Sequence, residues 1–529
     1  MDARSTRPPK TAAARLVERV EAALDRPFGS RANPLRHLGA LGFYLFWIIL
    51  ASGIYLYFAF DATATGAYRS IEELGRNPVG ALARGLHRYA SDAFVAVVVL
   101  HLIREWLLGR FTGARWFPWV TGIVLIGLIY ASGIGGYWLV WDTLAQFSLT
   151  ATAEWLDRLP LFGLTLVRNF LDGGQMSDRF YSLLLFLHIG VPLALLAGMW
   201  LHIQRVVRAD VTPARALALG TLATLAALSF VEPALSQAPA DVAAAPSRLP
   251  LDWWLLFAHP LMYRSSPAAL WVAVAGFAAL ALALPWLVRA SPAPVARVSP
   301  ENCNGCGRCF VDCPFGAVVI GPRTDAKRAP AQARVIPELC VACGICAGAC
   351  PSSTPFRSIA ELVTGIDMPQ RPLAALRDEL ERALAGLRGD PRIVVFGCDQ
   401  AVDVHRFARA DTGAVSLLCA GQLPPSFVEY ALRGGADGVL VSGCERDGCR
   451  YRLGDAWTAE RLGGRREPHL RASVPAERVR TAWTTSAPRL VRELDEFRAG
   501  LGSLQARPNA RGLPPRRLRS GTTEGMVPR

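Results

Sequence analysis

Four histidines set the chemistry of this chain. His87 and His101 lie fourteen residues apart on one apolar stretch, and His188 and His202 lie fourteen apart on another. An α-helix advances ~1.5 Å per residue, so fourteen residues climb ~21 Å in close to four whole turns and bring both imidazoles of a stretch onto one face. Neutral imidazole is a strong axial ligand for haem iron, and two per iron give a six-coordinate centre suited to electron transfer. Two such helices, face to face, predict a clamp for two stacked haems. A packing role explains a single membrane histidine far better than four in equal pairs. No C-x-x-C-H run occurs, so covalent haem attachment is excluded.

The second set of chemically capable residues is the cysteines, all 12 of which follow residue 300. Cys303, Cys306, Cys309 and Cys313, followed by Pro314, recur as Cys340, Cys343, Cys346 and Cys350, followed by Pro351. Two such runs are the signature of bacterial two-cluster ferredoxins, in which the fourth Cys of each run ligates the other run's cluster. That pattern assigns Cys303, Cys306, Cys309 and Cys350 to one 4Fe-4S centre, and Cys340, Cys343, Cys346 and Cys313 to the other. Further on, strands are predicted at 393–396, 415–418 and 438–442, with helices at 374–387 and 425–432. Cys398, Cys419 and Cys444 stand at or just past the strand ends, and Cys449 lies five residues on. Strand ends of an open α/β sheet converge on one edge, so four thiolates are expected around one metal centre.

The elements that carry these residues differ in solvent. At 529 residues with 52% apolar composition, the chain joins a very hydrophobic first half to a charged second half. Apolar runs at 38–60, 87–108, 118–141, 181–203, 213–232 and 267–288 each approach the ~20 residues a bilayer requires. Lys and Arg number 14 in the 62 positions of segments 1–36, 104–117 and 204–215, against 8 in the 99 positions of 61–86, 142–180 and 233–266. The positive-inside rule makes the denser set cytoplasmic, and six spans return the soluble half to that side. Thiols in a reducing compartment favour clusters over disulfides. The net charge of +14 reflects inner loops and a basic tail, and no nucleic-acid partner is expected. Stretch 12–24 is amphipathic and suits either the inner membrane surface or a solvated helix, and no signal peptide is expected.

The membrane half resembles the cytochrome b of quinol-oxidising bc-type complexes. Arg84, three before His87, and Arg104, three after His101, match that family's haem-propionate arginines, and Pro192 matches the proline of its fourth helix. Gly39, Gly42 and Gly53, and then Gly133, Gly135 and Gly136, would let a porphyrin approach the backbone. The resemblance pairs His87 with His188 on the outer side and His101 with His202 on the inner side. Residues 250–267, PLDWWLLFAHPLMYRSSP, are similar to the family's Pro-Glu-Trp-Tyr segment, which implies that Asp252 accepts a proton from quinol. Leu251 and the sequence Val140-Trp141-Asp142 depart from the family's pattern, which puts the outer quinone site in question. His37 is read as an interfacial anchor and His259 as structural.

The last part resembles the delta subunit of methyl-viologen-reducing hydrogenases. The resemblance rests on FGC ending at Cys398, on LLCAGQLPPSFVEYALRGGADGVLVSGCERDGC ending at Cys449, and on the Arg450-Tyr451 that follows. It implies a 2Fe-2S centre on Cys398, Cys419, Cys444 and Cys449 and exchange with a heterodisulfide reductase-like flavin subunit; Ala401 replaces a cysteine common in that family. No flavin or Rossmann motif occurs in this chain.

The resulting expectation is a multidomain protein. An all-α polytopic membrane bundle of six transmembrane helices, with a cytochrome b-like four-helix haem core, precedes an α+β bacterial ferredoxin domain and a small α/β iron-sulfur domain. The divisions are a cytoplasmic amphipathic segment (1–36), the di-haem core (37–210), two further spans (211–290), a linker (291–300), the ferredoxin domain (301–360), the delta-like domain (388–500) and a basic disordered tail (503–529). The expected function is an oxidoreductase subunit in the cytoplasmic membrane with both termini in the cytoplasm. It would carry two b haems, two 4Fe-4S clusters and one 2Fe-2S cluster between membrane quinone and a cytoplasmic flavoprotein, with a homodimer implied by the resemblance. The alternatives are a relay anchor with no quinone site of its own, and a quinol-oxidising branch with a Rieske or cytochrome partner on the outer face.

Overall fold

The computed structural model describes residues 11–63, 65–159, 178–204, 209–241, 243–244, 248–288, 294–323, 325, 329–357, 362–445 and 448–505. The basic tail beyond 505 and part of the linker lie outside these residues. The chain divides into two compact units, Thr11–Arg289 and Ala290–Arg529.

The first unit is helical. α1 (Ala12–Ala32) is followed by α2 (Leu38–Ala59), α3 (Ala67–Arg76), α4 (Pro78–Leu107), α5 (Trp116–Val140), α6 (Thr143–Leu156), α7 (Asp178–Ile203), α8 (Arg215–Val231), α9 (Ala258–Arg264) and α10 (Pro267–Leu287). The closest packing joins α2 to α4 and α5 to α7, with α8 against α4 and α10 against α5. Phe46, Phe94, Val95, Leu125, Ile129, Leu195 and Met199 fill the core between these helices.

Helices that cover 38–59, 113–140, 181–203 and 267–287 are long and apolar enough to cross a membrane. The other two expected spans are also helical. The run at 87–108 belongs to the 30-residue α4, which begins earlier because Asn77 caps it through Val79 N–H and Pro78 occupies its first position. Arg84, Arg88 and Asp92 lie on that early part, which lowers its apolarity. The run at 213–232 forms the 17-residue α8.

In the second unit, β1 (Arg297–Val298) pairs antiparallel with β4 (Ile366–Asp367), and β2 (Val318–Pro322) pairs antiparallel with β3 (Ala331–Val335). The short helices α11 (Arg308–Asp312) and α12 (Ile345–Ala349) each open directly after a glycine, Gly307 at φ 75° and Gly344 at φ 78°. Side chains strain this left-handed conformation, so glycine lets each cysteine run double back into its helix.

After α13 (Leu373–Gly386) comes a four-stranded parallel sheet in the order β6 (Thr412–Leu417), β5 (Ile393–Cys398), β7 (Gly438–Gly443), β8 (Val479–Trp483). The crossover helices α14 (Pro425–Arg433) and α15 (Gly454–Leu462), with the terminal α16 (Ala487–Gln505), complete this α/β part. Strands β5, β6 and β7 are buried along their whole length, as parallel strands covered on both faces require. The sequence reading placed β6 at 415–418; Thr412 and Gly413 extend it forward through pairing with Ile393 and Val394. It missed β8, whose Arg480 and Thr481 interrupt the apolar run.

Candidate haem and iron-sulfur sites

Each of the four histidines faces a glycine on a neighbouring helix. A Cβ at Gly53 would lie 3.0 Å from His87 Cε1, and one at Gly136 would lie 3.0 Å from His188 Cε1; Gly39 and Gly122 stand the same way to His101 (3.8 Å) and His202 (3.4 Å). Gly39 and Gly53 are fourteen apart on α2, and Gly122 and Gly136 are fourteen apart on α5, so the glycines repeat the histidine spacing. Gly122 was missed in the sequence, although its distance from Gly136 was the signal that would have found it. Gly133 instead accommodates Leu255.

The His87 and His188 rings face each other with centroids 6.3 Å apart and planes at 67°. Two metal–imidazole bonds of about 2.0 Å, each extended by about 1.15 Å from Nε2 to the ring centre, span about 6.3 Å, so the pair fits an iron between them. His202 is a near neighbour of His101. The Nδ1 atoms are held at three of the four histidines: His87 Nδ1 lies 3.0 Å from Ile49 O, His188 Nδ1 lies 3.1 Å from Ser132 O, and His202 Nδ1 lies 2.9 Å from Thr121 Oγ1. Such outer contacts fix the tautomer and leave Nε2 for the metal. Among the described residues, His101 Nδ1 is buried with no hydrogen-bond partner.

The two arginines singled out for haem propionates carry other partners. Arg104 is paired with Glu21 of α1 at 2.7 Å and with its neighbour Glu105 at 2.7 Å. Arg84 donates to Ser236 Oγ at 2.7 Å and lies 3.6 Å from Glu72. Glu21 is buried and also meets Arg36 at 3.1 Å, which ties the amphipathic N-terminal helix to the C-terminal end of α4.

The side chain of Asp252 is 4% exposed and packs against α4 and α5. Its carboxylate pairs with Arg88, the residue after His87, and accepts from the hydroxyl of Tyr137, the residue after Gly136. It also accepts from Trp254 N–H at 2.7 Å. Burial alone would raise its proton affinity, but the Tyr137 bond and the Arg88 charge outweigh that, so Asp252 titrates below the ordinary carboxylate range. Neither partner was legible in the sequence, since Arg88 and Tyr137 lie far from residue 252. Asp142, in the segment that departs from the family's pattern, caps α6 through Ala145 N–H at 2.9 Å and holds Gln237 N–H at 2.9 Å. Trp141 before it ends α5 in the left-handed region, at φ 55°. His259 is buried and bonded to Thr152 Oγ1 at 2.9 Å, a structural setting; His37 is buried with Nε2 3.3 Å from Ser30 O.

In the second unit the two cysteine runs interleave. Around Cys309 stand Cys350, Cys306 and Cys303; burial and the charge of these neighbours push its thiol up to about 12. Around the buried Cys346 stand Cys343, Cys313 and Cys340. The last four line one small pocket together with Pro314, Ile345 and Met368. Both quartets therefore take the fourth cysteine from the opposite run, as cross-ligated cubes require. Backbone N–H groups point at the sulfurs, Ala317 to Cys313 Sγ at 3.2 Å and Ala333 to Cys303 Sγ at 3.4 Å.

The third quartet lies at the carboxyl edge of the parallel sheet. Strand order reverses between β5 and β7, and ligands of open α/β sheets bind outside the strand ends at such a reversal. Cys398 ends β5, Cys444 follows β7, Cys419 follows β6, and Cys449 precedes α15. All four are buried, and the thiols of Cys398 and Cys449 each contact those of Cys419 and Cys444. A Cβ at Gly454 would collide with Cys419 Sγ and lie 3.3 Å from Cys449 Sγ, so α15 can open here only with glycine. Among the described residues no group of three or more His, Cys, Asp or Glu side chains is disposed to hold a single metal ion.

Comparison with known proteins separates the same parts. Residues 24–209 match the family cytochrome b/b6/petB, residues 302–354 match the 4Fe-4S dicluster domain, and residues 393–504 match the methyl-viologen-reducing hydrogenase delta subunit. Cytochrome b6 of Euglena gracilis is 32% identical over 174 residues, covering 32% of this chain and 80% of the relative. Cytochrome b6 of Gracilaria tenuistipitata var. liui is 31% identical over 170 residues, covering 31% and 78%. Among solved structures, a chain of a hyperthermophilic respiratory complex III is 21% identical with a TM-score of 0.41, covering 48% of this chain and 75% of that one.

Proposed function

The chain belongs to the cytochrome b/b6 family, and from that premise we propose that it is the membrane subunit of a quinone oxidoreductase that exchanges electrons with a cytoplasmic flavoprotein. A cytochrome b part with apolar helices and iron-sulfur domains makes it an integral membrane electron-transfer protein. The observation that carries the proposal is the 6.3 Å separation of the His87 and His188 rings. The haems supply one-electron chemistry between these imidazoles. His87 with His188 would hold the outer haem and His101 with His202 the inner one. The three thiol quartets would hold two 4Fe-4S centres and one 2Fe-2S centre. With all six apolar helices across the bilayer, the iron-sulfur unit faces the cytoplasm.

At the outer site, Asp252 is the residue offered for quinol's proton. Its pairing with Arg88 makes it a weak base, and this favours a second reading in which the outer site is silent and the chain relays electrons only. Loss of quinone-dependent haem reduction in Asp252→Asn supports a working outer site, and unchanged reduction supports the relay.

The test of the proposal is purification of the full chain. Two b haems and roughly ten cluster irons per chain are expected, with His101→Leu keeping one haem of the two. A dithionite-reduced protein without an α-band, or a His101→Leu variant that keeps both haems, would falsify the assignment.

A further inference from the structure

Within the second unit the ferredoxin part and the α/β part share one buried surface. Of the eight ferredoxin cysteines, only Cys343 joins the buried cluster that contains Cys398, Cys419, Cys444 and Cys449. Val341 and Tyr451 pack against both this cluster and the one around the ferredoxin cysteines. The fit is close: Gly344 meets the Gln422 side chain, and Gly421 meets Ile345.

A buried ion pair fixes the register of the two parts. Asp312, next to Cys313, binds the fully buried Arg461 of α15 and lies 2.5 Å from Arg466, while its carbonyl accepts from Trp457 Nε1 at 3.1 Å. Arg461 also donates to Gly421 O at 2.8 Å. Cys306 of the other ferredoxin quartet is exposed and takes no part in this junction.

We propose that the centre held by Cys340, Cys343, Cys346 and Cys313 is the direct electron partner of the Cys398, Cys419, Cys444 and Cys449 centre, with Tyr451 and Val341 forming the wall between them. The inference rests on the cluster assignments above and adds their order. One electron leaves the 4Fe-4S centre, which is oxidised, and enters the 2Fe-2S centre, which is reduced, or the reverse; no proton or bond is exchanged. The Cys303, Cys306, Cys309 and Cys350 centre lies one step further away and reaches the third centre through the second.

The test is a redox titration of the full chain followed by electron paramagnetic resonance. Two unpaired spins in neighbouring centres broaden each other's signals, so the 2Fe-2S signal should broaden as its partner becomes paramagnetic. Cys340→Ser and Cys306→Ser each keep an oxygen ligand and shift the potential of one cube alone. The expected result is that the onset of broadening shifts, or disappears, in Cys340→Ser and stays at the wild-type potential in Cys306→Ser. A shift in Cys306→Ser alone overturns the order. Absence of broadening in the wild type, with both signals present, overturns the contact. Absence of a 2Fe-2S signal altogether overturns the cluster assignment itself. Serine variants that lose their cube still report, because the broadening must then vanish with the Cys340 centre and survive loss of the Cys306 centre.

Discussion

Replacing Gly136 with alanine probes the haem clamp without touching a ligand. The added methyl would stand 3.0 Å from His188 Cε1, 3.6 Å from Nδ1 and 3.7 Å from Nε2. Carbon atoms pack best at about 3.5–4.0 Å, so the ring must withdraw by about 0.5 Å along the helix that presents it to the iron. Overpacking of this kind costs about 1–3 kcal/mol, or roughly 5- to 150-fold in retention of the haem assigned to His87 and His188. Gly127→Ala on the same helix is the control, because nothing lies within 4 Å of its Cβ and alanine itself favours the helix by up to about 1 kcal/mol. Haem content after detergent dialysis and the low-spin resonance of the outer haem provide the assay. Gly136→Ala should lose haem and shift the resonance while Gly127→Ala does neither. Equal haem retention and an unchanged resonance in both variants would refute the view that the glycines are there to seat the imidazoles.

Two further outcomes follow from the geometry. Gly454→Ala drives a methyl into Cys419 Sγ, so the 2Fe-2S signal should be absent while both 4Fe-4S signals and the haem α-bands persist; retention of all three cluster signals contradicts the assigned quartet. Asp252→Asn removes one of the two carboxylates that answer Arg88, leaving Asp92 at 2.9 Å, and should destabilise the membrane unit by about 1–3 kcal/mol at neutral pH, read as a lower Tm in detergent. Since the native carboxyl titrates below its unfolded value of about 3.9, its stabilisation is complete above that value and is lost as pH falls through the lower native one. The gap between wild type and variant should therefore close on acidification below pH ~4, and a gap that widens there contradicts the ion pair.

The sequence reading reached what depends on local repetition. Fourteen-residue steps, paired cysteine runs and apolar strand segments are short-range patterns, and they lead to the helices that carry His87 and His188 and to the strand that ends in Cys398. What it missed depends on partners distant in sequence. Nothing near Asp252 announces Arg88 or Tyr137, and nothing near Asp312 announces Arg461, 149 residues on. The amphipathic stretch of 12–24 was legible as a helix, but Glu21 is buried against Arg104 because tertiary charge pairing decided its environment. Strand β8 escaped notice because Arg480 is drawn to Glu493 and Glu496 of α16, which hides the apolar pattern of its neighbours.

The crossing of ligands between helix pairs has a consequence for assembly. The closest packing joins α2 to α4 and α5 to α7, yet His87 of one pair answers His188 of the other. On the proposed ligation each helix pair would bring only half of the ligands that either haem needs, and neither pair alone could hold one. Closure of the bundle and uptake of pigment would then become one cooperative event, and the two halves synthesised as separate chains would stay pale until they meet.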